Sequence, residues 1–416
     1  MINKTLNANF TSDQRNYFTV IVFFLAVFGF LKGVRTPSLW GYTHYLFNYD
    51  FGFVKRGLIG ELAALTSSDY IRSYEFFVIS SYLILILNIL LLLRFSMNIL
   101  RNCNLNTALP VFIYFSSVSV LYLAHCVGHF DNLVLLCVLI TLSLKSFYLR
   151  YIIALMTTIF CLLTHEMFLV TFFPVVTLSL ITIASNNLDL KKTILIILYI
   201  LIAMVAASIA IKAVLPKEIV HESYIYTQLN QPNSMIKLRK DTFDVQFRNI
   251  ADNVEFMEQY YSTMEMYFRF VIGVFATLPS SIFILFFTIR IIKSLDFQPL
   301  LWFVFAISAS FSPLLLHSVA TDMERFNSLS ILASFLVFII FSLDFKGGKQ
   351  LAENVLPNKV SWRVVTTSTI LICLNLGTKI ALFDLYQVDF YPFYDKIIHV
   401  LNTVFLCEDF FVMPNY

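Results

Sequence analysis

Charged residues are scarce in this chain of 416 residues. Asp, Glu, Lys and Arg make up 13% of it, whereas a soluble globular domain averages about 25%. Hydrophobic residues make up 58%, and the mean hydropathy is +0.77. This composition excludes an ordinary soluble protein. Because apolar stretches recur along the whole chain with short polar breaks, the sequence predicts a single integral membrane domain over residues 1–416.

The motifs of several common sites are also missing. The six cysteines form no C-x-x-C pair and no zinc-ligand spacing. There is no H-E-x-x-H, P-loop or G-x-S-x-G motif, so a zinc protease, a nucleotide hydrolase and a serine hydrolase lack support. A net charge of +3 without a basic tail predicts no nucleic-acid partner. Cys126 and Cys407 are expected on the same membrane face, which leaves a disulfide between them open.

Apolar segments of helical length predict an all-α membrane bundle of about eleven transmembrane helices. They cover residues 17–34, 74–94, 107–124, 131–149, 151–165, 166–185, 193–214, 267–291, 299–317, 327–344 and 363–383. Lys and Arg concentrate in every second connection, which places those connections in the cytoplasm. The pattern predicts an N-terminus inside and a C-terminus outside, with external loops at 35–73 and 215–266 and an external amphipathic segment at 384–416.

The first external loop contains an unusually polar stretch, residues 49–61, which holds Asp50, Lys55, Arg56 and three glycines. Ionisable residues at a membrane boundary are often functional. Aromatic neighbours are expected to desolvate Asp50 partly, so we predict that it is a catalytic base. Lys55 and Arg56 are predicted to bind phosphate, and the glycines to allow close approach of the backbone to a ligand. The alternative is an interfacial turn that the two cations anchor at the lipid headgroups.

Two further external connections carry histidines beside acids. His165 and Glu166 interrupt an apolar run over residues 151–183, and a charged elbow inside such a run requires a polar cavity. We therefore predict that both are catalytic. His129 and Asp131 precede the next apolar segment and are predicted to bind substrate, although Asp131 is equally suited to capping a helix.

A later external connection contains Asp322 and Arg325. The planar guanidinium of Arg325 suits bidentate binding of phosphate, so both residues are predicted to lie at a phosphate site. A salt bridge that fixes the loop is the alternative. The acids and histidines together also offer ligands to a divalent cation, but no spacing requires one, and we assign no metal ligand.

An acid in the first external loop with cations beside it and in a later external loop resembles a known group of membrane enzymes. These are multi-spanning glycosyltransferases of the GT-C type and the O-antigen and capsule polymerases of similar layout. The resemblance rests on Asp50, Lys55, Arg56 and Arg325, and the chain departs from the family in lacking a second acid directly after Asp50. It implies synthesis of cell-surface polysaccharide at the bacterial inner membrane, from polyprenyl-phosphate-linked saccharides at the extracytoplasmic face, with membrane lipid and other assembly proteins as partners.

Three other classes remain open from the sequence. A transporter or flippase of a lipid-linked or small polar substrate usually places charge at the membrane midplane, where this chain has little. A membrane acyltransferase would use His129 or His165 as its base. A structural subunit of an assembly system would leave the external polar residues individually dispensable.

Overall fold

The computed structural model describes most of the chain. It covers residues 5–7, 12–66, 68–101, 105–187, 189–212, 229, 238–239, 242–243, 250–261, 264–295, 298–320, 322–345 and 359–377. The predicted segment 384–416, with Cys407, and most of the loop 215–266 lie outside these residues. Cys126 is buried with a free thiol.

The described residues form helices almost throughout. The helices of the first half are α1 (Ser12–Gly33), α2 (Leu39–Leu46), α3 (Leu58–Leu65), α4 (Tyr74–Leu100), α5 (Leu105–Ser116), α6 (Val118–His125), α7 (Phe130–Ser143), α8 (Phe147–Thr164), α9 (Phe168–Thr171), α10 (Phe173–Ser185) and α11 (Leu190–Lys212). Those of the second half are α12 (Ile250–Tyr261), α13 (Met264–Ile292), α14 (Pro299–Phe311), α15 (Met323–Leu343) and α16 (Trp362–Gly377). Short 3-10 turns cover Tyr49–Phe51 and Ser312–Ser318, and strands β1 (Thr5–Asn7) and β2 (Lys359–Ser361) pair antiparallel.

Within the described part of the chain, seven helices are long and apolar enough to cross a membrane, and α5 with α6 makes an eighth if this bent pair is one span. Such spans need roughly 17–25 residues, because the bilayer core is about 30 Å thick. The protein is therefore an α-helical, multi-pass membrane protein, as the sequence predicts.

The predicted number of eleven spans is larger than this count because several predicted helices are shorter or broken. The helix predicted at 131–149 is the 14-residue α7. The helix predicted at 166–185 is divided at Phe172, where the four-residue α9 ends and α10 begins. Between α5 and α6 the chain bends by 42°, and Ser117 caps α6 by accepting a hydrogen bond from the backbone N–H of Ser119.

Helix α15 forms the centre of the bundle. Of its membrane-spanning window, 94% is buried inside the protein, against 22% for α1 and α11. It packs against α13, α14, α5 and α6, and the ring of Phe335 stacks on that of Tyr114 at a centroid distance of 3.9 Å. The hydroxyls of Ser330 and Ser334 donate hydrogen bonds to backbone carbonyls, so this core accommodates polar side chains. The N-terminus of α15 thereby has a fixed position at one end of the bundle.

A buried ion pair closes the opposite end of the bundle. Arg150, at the start of α8, is completely buried, and its Nη1 lies 2.6 Å from Oδ2 of Asp344, just after α15. The guanidinium also donates to the backbone oxygens of Leu142 and Leu144. Lys145 reaches Asp344 too, from a side chain that is 63% exposed. Arg150 therefore ties three chain segments together.

Replacing Arg150 by methionine is expected to lower the free energy of unfolding by about 3–5 kcal/mol, because it leaves a buried carboxylate without its main partner. The measurement is equilibrium unfolding in detergent micelles. Lys145→Met removes the exposed partner of the same carboxylate and is expected to cost less than about 1 kcal/mol. Equal losses of unfolding free energy in the two variants would show that Arg150 stabilises the protein no more than an exposed charge does.

Candidate functional site

Tyrosine hydroxyls fix the backbone of the loop that joins α1 to α4. Each donates to a backbone carbonyl of this loop: Tyr42 to Arg72 at 2.8 Å, Tyr45 to Ile71 at 2.6 Å, Tyr74 to Pro37 at 2.7 Å and Tyr82 to Arg35 at 2.9 Å. Buried hydroxyls need such partners. The loop is therefore a folded platform that presents α2 and α3 at the end of the bundle.

A close contact between two glycines joins this platform to the turn before α7. A Cβ on Gly41 would lie 2.6 Å from the carbonyl oxygen of Gly128, and Gly128 itself has a φ of +85°. Glycine is the residue that accepts both conditions without strain. The contact brings α2 against the segment that carries His129 and Asp131.

The glycines of the 49–61 stretch serve packing as well, which corrects the expectation that they approach a ligand. A Cβ on Gly60 would lie 2.0 Å from the carbonyl oxygen of Phe47, and one on Gly57 would lie 2.7 Å from the ring of Tyr49. Both positions are filled by this protein's own atoms. The Glu61 carboxylate accepts from the backbone N–H of Tyr49 at 2.9 Å, which closes the stretch on itself.

Arg56 and Glu166 form an ion pair between the loop that joins α1 to α4 and the elbow after α8. Nε and Nη2 of Arg56 donate to the two carboxylate oxygens of Glu166 at 3.0 and 2.5 Å. Arg56 has a φ of 60°, a left-handed conformation that costs a non-glycine residue about 1 kcal/mol or more. The remaining nitrogen, Nη1, lies 3.2 Å from Nε2 of His44. Because arginine only donates, this Nε2 is unprotonated.

Arg325, in the first turn of α15, forms a second group of contacts. Its Nη1 donates to Oδ2 of Asp322 at 2.7 Å, and its Nε lies 3.1 Å from Oδ2 of Asp131. Its Nη2 lies 3.2 Å from Nε2 of His165, which is therefore an acceptor. His165 also lies 3.7 Å from Asp131 and 3.6 Å from Glu166. The two arginine groups thus meet at His165.

These groups surround a small pocket with a volume of about 20 Å³. Among the described residues, its walls are Trp40, Gly41, His44, Arg56, Gly128, His129, Phe130, His165 and Arg325. None of these residues has a carboxylate. Asp131 and Glu166 pair with the two arginines but do not line the pocket. The volume accommodates one or two waters, or the end of an oxyanion, but not a sugar ring. The pocket therefore offers N–H donors to a small anionic group.

The three pocket histidines are neutral at pH 7. Burial, followed by the charge of Arg325, lowers the pKa of His129 to about 3. Burial and Arg56 also lower the pKa of His44 and of His165, although Glu166 and Asp131 act in the opposite direction on His165. Uncharged imidazoles beside two guanidinium groups are the expected result of desolvation and like charge.

The Glu166 carboxylate is ionised. Burial alone would raise its pKa, but Arg56, followed by His165, holds that pKa well below its ordinary value. An ionised, ion-paired carboxylate is a poor proton acceptor near neutral pH. Glu166 is therefore better placed to orient Arg56 than to act as a base.

Two described pieces of the segment between α11 and α12, residues 238–239 and 242–243, lie against α2. The guanidinium of Arg239 lies 5.8 Å from the Trp40 ring, and the Arg239 backbone N–H donates to Thr43 at 3.2 Å. The ring of Phe243 lies 5.1 Å from that of Phe47. These described residues cover α2 beside the pocket.

Asp50 does not belong to this pocket, and the expectation that it is desolvated is wrong. Its side chain is exposed on the 3-10 turn Tyr49–Phe51, where it accepts a hydrogen bond from Asn48 at 2.6 Å. The rings of Tyr49 and Phe53 stack on each other at 5.2 Å and leave the carboxylate uncovered. Lys55 is partly buried and does not line the pocket.

Replacing Asp50 by asparagine is therefore expected to leave activity within about twofold of the wild type, since an exposed substitution changes energies by only about 0.5 kcal/mol. The measurement is complementation of the phenotype of a deletion strain by the variant, at a known protein abundance. Glu166→Gln, which disturbs the arginine pair, is the matched carboxylate-to-amide change and is expected to be impaired. Complete loss in Asp50→Asn at normal protein abundance would restore Asp50 as the base.

Five of the nine pocket residues were not predicted as site residues from the sequence, and two of them, on α2, carry polar side-chain atoms. Trp40 and His44 belong to the short helix α2, whose sequence Leu-Trp-Gly-Tyr-Thr-His-Tyr-Leu has little charge. The available signal was their spacing, because residues i and i+4 lie on the same face of a helix. Among the described residues, no group of three or more His, Cys, Asp or Glu is arranged to hold a metal ion.

Comparison with known proteins does not indicate what this site does. No protein family model matches the chain, and neither a curated protein nor a solved structure matches it. The function is therefore inferred from the pocket itself.

Proposed function

We propose that this protein transfers a saccharide from a polyprenyl-phosphate carrier to an acceptor sugar during synthesis of cell-surface polysaccharide. The observation that carries the proposal is the pocket at one end of the helical bundle, lined by two arginines and three neutral histidines without a carboxylate. Guanidinium groups are the usual ligands of phosphate. The small volume admits the phosphate oxygens and leaves the sugar and the lipid outside.

The reaction follows from this placement. A hydroxyl oxygen of the acceptor forms a bond to the anomeric carbon of the donor, and the bond from that carbon to the phosphate oxygen breaks. The phosphate leaves with the bonding electrons, and Arg56 and Arg325 stabilise the charge that develops on it. The hydroxyl proton passes to a histidine of the pocket. His129 is the proposed acceptor, because its Nε2 lies 3.4 Å from Oγ of Ser38 and does not contact an arginine, and because the negative charge of the bound phosphate opposes the Arg325 charge that lowers its pKa.

The location of charge favours a transferase over a transporter. The buried charged groups of the described residues, such as Arg150, Asp131 and Arg325, stand at the first turns of their helices. A transporter is expected to hold its substrate near the midplane, often on interrupted helices. Helices of this protein are interrupted too, at Ser117 and at Phe172, but neither interruption carries a charged residue. A reaction at the membrane boundary instead lets a lipid-anchored donor meet a polar acceptor.

We place the pocket end outside and the protein in a bacterial inner membrane, because the cations of the short connections concentrate at the other end. If the three shorter helices α7, α10 and α16 also cross, the chain passes the bilayer eleven times. Reporter fusions after Arg101 and Lys192 are expected to report the cytoplasm, and fusions after Asp131 and Asp322 the exterior. Two or more reversed reporters would overturn the external placement.

Deletion of the gene, followed by gel analysis of surface lipopolysaccharide and capsule, tests the activity. Loss of the chain-length ladder is the result expected of a polymerase, and a shift by one sugar is that expected of a single-sugar transferase. An unchanged polysaccharide would contradict the proposed function.

A further inference from the structure

We propose that α3 lies in the membrane interface at the pocket end of the protein and inserts its leucines among the lipids of that leaflet. Its partner is the bilayer surface itself. No residue of α3 lines the pocket, so α3 inserts whatever the pocket binds. Its amphipathic pattern, the packing of its inner face and its place beside a spanning helix support this assignment.

The outer face of α3 consists of leucines. Leu62 and Leu65 are 47% and 71% exposed, and the partly buried Leu58 lies on the same face, because residues i, i+4 and i+7 align on a helix. The opposite face carries the small residues Gly60 and Ala63, which are both buried. A helix at a water-exposed surface has the reverse arrangement, with its large apolar side chains turned inward. The pattern of α3 therefore fits a helix whose outer face contacts lipid.

The one charged residue of α3 does not interrupt this face. Glu61 is partly buried, and its carboxylate accepts a hydrogen bond from the backbone N–H of Tyr49 at 2.9 Å. The sequence of α3 contains neither Lys nor Arg. Because an ionisable group in contact with lipid chains is costly, a face without charge is what insertion requires.

The inner face of α3 is fixed against the protein. A Cβ on Gly60 would lie 2.0 Å from the carbonyl oxygen of Phe47, so the two backbones are in direct contact. A rotation of the helix that turned Leu62 inward would place this large side chain where no Cβ fits. The leucines are therefore not a face that α3 can bury against its own bundle.

The position of α3 at the end of a spanning helix identifies lipid as the partner. Helix α3 packs against α8, which is long and apolar enough to cross the membrane. Arg56, two residues before α3, pairs with Glu166, two residues after α8. In α8 the exposed residues Ile152, Met156 and Ile159 share one face at the same spacing and contact lipid. Helix α3 thus lies where the lipid-facing surface of the bundle ends.

Exposed aromatic side chains flank α3 on both sides. Phe53 precedes it and is 43% exposed, and Tyr70 follows it and is 59% exposed. Tyrosine is enriched at the boundary between membrane and water, because its ring is apolar and its hydroxyl is polar. The exposed Asp69 stands next to Tyr70, where the chain returns to water.

Insertion of α3 sets the depth of the pocket. The apolar face of an interfacial helix lies about 5–10 Å into the boundary between headgroups and acyl chains. Arg56 directly precedes Gly57, the N-cap residue of α3, so it lies at the level of the lipid phosphates. This consequence, unlike the insertion, rests on the proposed function: the phosphate of the carrier reaches Arg56 without leaving its leaflet.

Photo-crosslinking tests the insertion. Leu65 is replaced by p-benzoylphenylalanine in the full-length protein, in nanodiscs of phosphatidylethanolamine and phosphatidylglycerol. On illumination the ketone abstracts a hydrogen atom from a nearby C–H group, and the two carbon radicals combine. Mass spectrometry then separates lipid adducts from protein adducts. We expect a lipid-adduct yield within about twofold of that from Leu201, which is 55% exposed on the spanning helix α11.

Asp50 is the matched control, because its side chain is exposed on a polar turn of the same loop. The same replacement at Asp50 is expected to give at least about fivefold fewer lipid adducts than at Leu65. Leu62 is the second test position should the first variant fail to fold. Lipid adducts at Leu65 and Leu62 no more frequent than at Asp50 would overturn the insertion.

Adducts to a second protein chain, or to another segment of this chain, in place of lipid would also overturn it. Either negative result leaves the proposed saccharide transfer standing, because deletion of the gene tests that activity separately.

Discussion

Arg325→Lys is expected to reduce saccharide transfer about 100-fold, which corresponds to about 2.7 kcal/mol of transition-state stabilisation. The guanidinium of Arg325 bonds to Asp322 and to His165 through separate nitrogens, and its Nε lies beside Asp131. A lysine ammonium is a point charge on a flexible stem and cannot occupy all three positions. The measurement is polysaccharide chain length in a deletion strain, normalised to the abundance of the variant.

Lys359→Ala is the control for this change. Lys359 lies in strand β2, opposite Asn7, and is far in sequence from the residues that line the pocket. It is expected to leave chain length unchanged. Full activity of Arg325→Lys would show that activity does not require simultaneous contacts through several nitrogens of the Arg325 guanidinium. Equal loss in both variants, with low protein abundance, would show that charge serves only membrane insertion.

The Arg56 and Glu166 pair is expected to show a clear energetic coupling. Arg56→Gln alone leaves Glu166 ionised without its strongest partner. The free energy of unfolding should therefore fall by about 3 kcal/mol. This loss is at the low end for buried pairs, because the Glu166 side chain is 26% exposed. Adding Glu166→Gln removes the unpaired charge and should recover most of the stability. Activity should not recover, since the phosphate loses Arg56 in either case.

Unfolding of both single variants and the double variant in detergent micelles gives the coupling energy. The pair formed by Asp189 and Lys192 at the other end of the bundle is the matched control, because Asp189 is 52% exposed at its side chain. Its double substitution should show no measurable coupling. If the Arg56 pair behaved in the same way, it would be a surface contact without influence on the pocket.

The sequence was sufficient for the membrane character and for most of the residues at the site. Long apolar runs predict helices because a spanning backbone must satisfy its own hydrogen bonds. The breaks within these runs were missed, although the division at Phe172 has a signal in the sequence: Pro174 lies in the first turn of α10, where a proline starts a helix and ends the preceding one. The same reasoning located His129, Asp131, Glu166 and Arg325, because a charge inside an apolar run needs a partner.

The expectation that Asp50 is desolvated failed for a physical reason. Neighbours in sequence do not determine burial, and its aromatic neighbours Tyr49 and Phe53 pack on each other instead of on the carboxylate. The unusual feature of Arg56 also depends on tertiary structure, because a φ of 60° at an arginine is visible only once the loop is folded. His44 escaped notice because it stands in an uncharged helix and meets its partner twelve residues later.

The burial of α15 has a consequence for the order in which the protein assembles. A helix that is 94% buried exchanges nearly all of its lipid contacts for protein contacts, and its partners α5, α6, α13 and α14 all precede it in the chain. It can therefore take its place only after they have entered the bilayer. Arg325 belongs to this helix, so its contacts with Asp131 and His165 form only when the helix has packed. The wall of the pocket is thus completed by α15, and a nascent chain that has not been elongated past residue 343 lacks the complete helix that positions Arg325 in this wall.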